Sequence, residues 1–134
     1  MSQENVEIVR MAYEGTNRRN FSNLPSIIDE SCELRLPAEF PGTQTARGPE
    51  GFRRVLAELE EAFGEIKYEP QELIDEGDLV LATVRTTGHA RHTGLLVDLL
   101  VFWLYTFRDG TIVGMDVYLD CVKALEAAGL QENR

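Results

Sequence analysis

Cysteine is scarce in this chain, which has only Cys32 and Cys121. Two thiols without CxxC spacing make neither a disulfide framework nor a thiolate metal site. Basic residues are few as well, 13 against 23 acidic, for a net charge of −10. Nucleic-acid backbones and anionic membranes are held by Lys and Arg clusters. The sequence has no such run, so neither partner is expected, and the acidity reads as solubility. No uninterrupted apolar run reaches the roughly 18 residues of a membrane span. The polar start, Met1 to Asn5, lacks a signal-peptide pattern, and a reducing cytoplasm is the expected compartment. GxGxxG, GxxxxGK and GxSxG are all missing, which removes the usual signals of dinucleotide, P-loop and hydrolase-elbow sites. Neither cofactor nor metal is expected.

What the chain does have is one long apolar stretch, Leu95 to Phe107, closed by Arg108-Asp109-Gly110. In a strand, alternate side chains face opposite sides. One side then carries Leu99, Val101, Trp103 and Tyr105, the other Leu100, Phe102 and Leu104. Neither side wants water. Helices on one face of a single sheet leave the other exposed, so a second copy of the chain is expected to cover that face.

The remaining elements follow from periodicity and punctuation. Ser2 is placed to cap a helix that carries Val6, Val9, Ala12, Tyr13 and Thr16 to about Arg19. A short helix starts at Pro25 and includes Ile27 and Ile28. Cys32, Leu34 and Leu36 alternate with Glu33 and Arg35 as in a half-buried strand. Gly48-Pro49-Glu50 opens the clearest helix, with Phe52, Val55, Leu56, Leu59 and Phe63 on one face and Gly64 as its stop. Strands follow from Ile66, where Pro70 marks an edge or bulge, from Leu79 to about Ala90, across the apolar stretch, and from Thr111 to Leu119. Asp109-Gly110 is a hairpin signal. Asp120 caps a last short helix that stops at Gly129. Helices first and hairpin-joined strands after them make a single α+β domain over residues 1–134.

Few side chains carry obvious chemistry. His89 and His92, three apart, fall on opposite faces of a strand, and no metal-binding motif adjoins them. Asp29-Glu30 and Asp75-Glu76 sit at element ends, where acids are commonly exposed. Cys121 has no histidine near it in sequence and reads as a small buried or half-buried thiol. Trp103 and Tyr105 share a strand face and line either a pocket or a plain core, together with Val101, Met115 and Val117. Tyr13 and Asp116 are the polar candidates nearest that region.

Tyr13-Glu14-Gly15-Thr16-Asn17, Gly48-Pro49-Glu50-Gly51-Phe52, Phe107-Arg108-Asp109-Gly110-Thr111-Ile112-Val113, Tyr118-Leu119-Asp120 and Ala124 to Leu130 together resemble SnoaL-like domains. These belong to the nuclear-transport-factor-2-like superfamily, which includes ketosteroid isomerase and polyketide cyclases. The resemblance covers nearly the whole chain. It implies a curved antiparallel sheet around a cone-shaped cavity closed by N-terminal helices, a cystatin-like α+β barrel, often dimeric through the convex face. Leu36, Val84, Val101, Trp103, Met115 and Val117 then face the cavity, with Tyr13, Leu56 and Tyr105 completing its lining, and Leu100, Phe102 and Leu104 face the partner subunit. Ketosteroid isomerase uses a carboxylate base with Tyr and protonated Asp donors. Those positions fall here on Ala12 for the Tyr, Leu36 for the base and Trp103 for the Asp, none of which can do that work. Asp98 and Asp116 point away from the cavity by alternation.

The expected function is therefore binding of a lipophilic small molecule, aromatic or polycyclic, in an apolar pocket. Any catalysis would be cofactor-free isomerisation, cyclisation or dehydration, with Tyr13 as donor and an Asp as base. The rival is a dimeric interaction protein with a filled cavity. A hollow above roughly 300 Å³ with a polar group at its base argues for the first, and a Trp-plugged core for the second.

Overall fold

The computed structural model describes residues 2–130, the side chains from residue 4 onward. Helix α1 (Ser2–Asn17) buries Val9, Tyr13 and Thr16 on one face. It begins at Ser2 itself, and the capping role expected of that side chain lies outside the described residues. Helix α2 (Leu24–Ile27) is one turn with Pro25 inside it. Ile28, expected in that helix, instead starts strand β1 (Ile28–Arg35). A three-residue strand not foreseen from the polar sequence, β2 (Thr45–Arg47), leads into α3 (Gly48–Phe63). Helix α3 buries Phe52, Val55, Leu56 and Leu59 and ends on Gly64.

Four strands follow: β3 (Lys67–Glu76), β4 (Leu79–His89), β5 (Leu96–Arg108) and β6 (Thr111–Tyr118). Between β5 and β6, Asp109 and Gly110 both have positive φ, 52° and 78°, as a two-residue type I′ hairpin requires. Asp120 accepts hydrogen bonds from the N–H groups of Val122 (2.8 Å) and Lys123 (3.3 Å) and caps α4 (Cys121–Ala127).

The strands form one curved, unclosed sheet in the order β2-β1-β6-β5-β4-β3. It is not antiparallel throughout: β1 runs parallel to β6, with Leu34 opposite Met115. Hairpins force antiparallel pairing, and no hairpin joins these two strands. Pro70 lies on the edge strand β3, where the register slips between Pro70 and Glu72. That position suits a residue with no N–H to donate. A second slip, between Thr106 and Phe107 on β5, brings Ile112 opposite Phe107 and into the core.

The concave face of the sheet and helices α1 and α3 enclose the main core, which holds Val101, Trp103, Tyr105 and Phe107. Leu81, Phe102 and Leu104 face the other way, and there the structure departs from expectation. Phe102 and Leu104 are 7% and 4% exposed within the single chain, because Ala124 and Ala128 at α4 pack over them. The reason is topological: β6 pairs Tyr118 with Phe102, so the chain leaves the sheet beside that residue and α4 folds back across it. Leu100, the third residue expected at a subunit interface, is 48% exposed. Among the described residues no helix is long and apolar enough to cross a membrane.

Removing the ring under α4 creates a cavity. Phe102→Ala is expected to lower the unfolding free energy by about 3 kcal/mol. Leu95→Ser, at a position 68% exposed, is expected to change it by less than about 0.5 kcal/mol. Urea unfolding of both variants checks this, and equal effects would contradict α4 as the cover.

Candidate functional site

Trp103 closes the base of the concave side. Above it is an almost wholly apolar cavity of about 180 Å³. Leu59 and Phe63 of α3 form one wall, and Val97, Leu99 and Val101 of β5 another. Tyr68 of β3 and Thr86 to Gly88 of β4 form a third. The loop after β1 brings Glu39, Phe40 and Pro41 to the rim.

Below, the cone is filled with rings. Trp103 stacks on Tyr105 with centroids 6.2 Å apart and planes 13° from parallel. Phe52 meets Trp103 edge-on at 6.4 Å, and Tyr13 meets Tyr105 edge-on at 6.3 Å. Such arrangements suit the ring quadrupoles. The hollow left among Tyr13, Thr16, Leu56, Tyr68, Trp103 and Tyr105 is about 10 Å³. There the Tyr105 hydroxyl donates to that of Tyr13 at 2.6 Å. Burial, more than any neighbour, pushes the Tyr13, Tyr68 and Tyr105 phenols above their ordinary pKa, so all three are neutral near pH 7. Two buried polar atoms have no hydrogen-bond partner among the described residues, the Tyr68 hydroxyl and the Trp103 indole nitrogen. Each costs roughly 1–3 kcal/mol while unpaired.

Filling the base displaces the hollow toward the mouth, and the residues expected to line it divide accordingly. Val101 and Trp103 line the cavity. Tyr13, Leu56 and Tyr105 line the small inner hollow. Val84 and Met115 are buried in the core and open onto neither. Leu36 and Val117 border a separate outer groove beside Arg35 and Asp116. Asp116 bonds Arg35 at 2.6 Å and Asp98 bonds Arg85 at 2.7 Å. The bond to Arg85 holds the Asp98 carboxyl below its usual range. Both aspartates alternate away from Trp103 and Met115, on the outer face of the sheet.

Of the remaining candidates, two acids hold local turns. Asp29 accepts from the N–H and hydroxyl of Ser31, and Asp75 accepts from Gly77 N–H. His89 ends β4 and His92 lies in the following turn, both exposed. Burial pushes the Cys32 thiol up to about 11. Cys121, expected to be buried or half-buried, is instead exposed, because it sits in the open first turn of α4 ahead of the buried Ala124.

The loop at the rim is built, and sequence reasoning missed it. The Gln44 side-chain amide donates to the carbonyls of Pro37, Ala38 and Phe40 at 3.3–3.4 Å. Glu58 of α3 accepts from the Thr43 N–H (2.8 Å) and hydroxyl (3.1 Å). Gly42 passes so close that a Cβ there would lie 2.6 Å from the Glu58 carboxylate, and its φ is +87°. The available signal was Phe40 itself: a large apolar side chain in a polar segment needs somewhere to be buried.

The buried phenols set the alkaline limit of the fold. A raised folded-state pKa contributes stability that is complete below the unfolded value of about 10 and is withdrawn as pH rises through the folded value. Spectrophotometric titration is therefore expected to ionise Tyr118, the least buried of the four tyrosines, before the other three. Those three should ionise together with loss of near-UV circular dichroism. Ionisation of two or more tyrosines in the intact fold would contradict this.

The comparisons with known proteins agree with this architecture. No curated protein matches the chain. Among solved structures, TerC co-crystallised with polyporic acid is 23% identical, with a TM-score of 0.76 over 94% of this chain and 98% of that one. An NTF2-like protein from Burkholderia xenovorans LB400 is 27% identical, with a TM-score of 0.78 over 96% and 98%. IdmH from Streptomyces antibioticus, of polyketide-cyclase type, is 21% identical, with a TM-score of 0.74 over 94% and 99%. The family model for the SnoaL-like domain matches residues 9–115, and the chain belongs to that family.

Proposed function

We propose that the chain binds a small aromatic molecule carrying a hydrogen-bond acceptor, seated in the 180 Å³ cavity against Trp103. The observation that carries this is the Trp103 N–H, a buried donor without an acceptor on a residue that lines an apolar hollow. A ligand carbonyl there would recover the cost of leaving the N–H unpaired. The hollow is smaller than the roughly 300 Å³ of a drug-sized site and comparable to the ~150 Å³ that holds benzene. One ring, or two fused, fits better than a polycycle. TerC was co-crystallised with polyporic acid, which supports ligand binding as a use of this fold. For catalysis, Glu39 replaces the expected aspartates, since it lines the cavity and they do not. A carboxylate base with an N–H donor is the pair of groups that proton removal beside a carbonyl requires.

Trp103 is the single tryptophan, so its emission reports on the cavity directly. Titration with 1-indanone is expected to saturate, with affinity at least about tenfold above that of indane, which lacks only the carbonyl oxygen. In Trp103→Phe, followed by thermal shift, the difference is expected to vanish. Deuterium exchange next to the carbonyl, read by NMR, is expected in the wild type and lost in Glu39→Gln with affinity kept. Equal affinity for the two compounds, or no saturation by either, would overturn the binding; absent exchange would overturn the catalysis alone.

The filled base favours a second reading, a dimeric protein in which the cavity is vestigial. Leu96 and Leu100 are 61% and 48% exposed on the outer face of β5, and a second copy would cover them. Leu96→Glu/Leu100→Glu is expected to convert a dimer to a monomer in gel filtration with light scattering. A monomeric wild type, or an unchanged dimer in the variant, would rule out that face.

A further inference from the structure

A groove of about 440 Å³ lies between the end of α1, the loop after it and α3, and Tyr68 is the one residue it shares with the lining of the cavity. Its charges are unevenly committed. The Arg19 guanidinium donates to the carbonyls of Thr16 (2.8 Å) and Ile66 (3.3 Å) and pairs with Glu60, so Arg19 and Glu60 cancel. Arg53 reaches Glu50 only at 3.8 Å, and that carboxylate is 89% exposed, a pairing worth little in water. Its guanidinium instead lies over the Phe21 ring, 5.4 Å from the centroid. Arg54 has no ion pair among the described residues; the carboxylate that feels its charge, Glu58, is taken by Thr43. The Tyr68 hydroxyl is buried without a partner, on a residue 3% exposed. The charged groups it feels, Glu60 and Arg19, both line the groove.

We propose that this groove binds the oxyanion of a small molecule, a carboxylate or a phosphate group, with Arg53 and Arg54 supplying the charge and the Tyr68 hydroxyl donating from the floor. Guanidinium forks match the paired oxygens of both groups. The net charge of −10 opposes an anion at a distance. At physiological salt the Debye length is about 8 Å, so within the groove Arg54 and Arg53, the latter only loosely paired with Glu50, prevail.

The probes are inorganic phosphate and benzoate, titrated separately by calorimetry at physiological salt. Saturable binding of at least one is expected, and the tighter probe tells a phosphate site from a carboxylate site. Arg53→Gln/Arg54→Gln is expected to weaken it by at least about tenfold. Arg53→Lys/Arg54→Lys, which keeps the charge and loses the forks, should fall between. Tyr68→Phe is expected to weaken binding severalfold with the thermal transition kept or raised, because it removes an unpaired buried hydroxyl. No saturable binding of either probe, or equal affinity in the glutamine double variant, would overturn the proposal. Trp103 emission with 1-indanone is read in the same variants: unchanged emission behaviour in the glutamine double variant separates this site from the cavity.

Discussion

Strand β5 has no polar face from Val101 to Tyr105, and the rest of the molecule is arranged to bury both of its sides there. Val101, Trp103, Tyr105 and Phe107 need one cover, Phe102 and Leu104 another. Helices α1 and α3 supply the first and α4 the second. A seven-residue helix could not hold itself together in water; α4 exists because Ala124 and Ala128 close on rings and branched chains that would otherwise be wet, and because Asp120 satisfies two of its free N–H groups. The first half of the strand, Leu96 to Leu100, has no such cover. Intrachain burial thus ends at Leu100, where the outer face becomes available.

The same alternation that hides Trp103 fills the cone. Large rings at positions 103 and 105, met by Tyr13 from α1 and Phe52 from α3, leave a solvent-sized remnant below and a modest hollow above. Rings bring N–H and O–H groups with them. The Tyr13–Tyr105 contact settles one hydroxyl proton and leaves the other hydrogen of the pair without a described acceptor, while Trp103 and Tyr68 each keep an unpaired polar atom. An aliphatic filling of equal volume would be cheaper. The polar atoms retained beside the hollow are what favours the proposed binding site over a packed core.

The fold was legible because its signals are local. The type I′ turn at Asp109-Gly110, the Asp120 cap, the apolar face of α3 and the two-residue period of β5 each depend on a few neighbouring residues. What escaped depends on residues far apart in sequence. The parallel pairing of β1 with β6 and the insertion of Ile112 after a register slip are set by crossover and curvature. The covering of Phe102 by α4 required knowing where β6 would deliver the chain. The site was read less well for the same reason. Strand alternation placed Trp103 inward but could not show that its own bulk would push the hollow up to Phe40 and Pro41. Those residues sit on a loop whose shape is set by Gln44 and Glu58 through contacts no periodicity encodes.

Charge obeys a stricter rule than apolarity in this molecule. Among the described residues no Asp, Glu, Lys or Arg is buried. The outer sheet face instead carries paired charges, Arg85 with Asp98 and Asp116 with Arg35, which also bonds Glu33, itself shared with Arg47. Each pair satisfies carboxylates that would otherwise be free for acid–base work, so the acids of β5 and β6 are spent on the surface. Within the cavity and the groove behind Tyr68, the loosely held charges are Glu39 at the rim, Arg54, and Arg53, whose pairing with Glu50 is long and exposed. A neutral phenol stands between them. Because burial holds Tyr68 un-ionised well above neutral pH, the wall that separates an acidic rim from a basic groove can donate a hydrogen bond but carries no charge, and neither side neutralises the other.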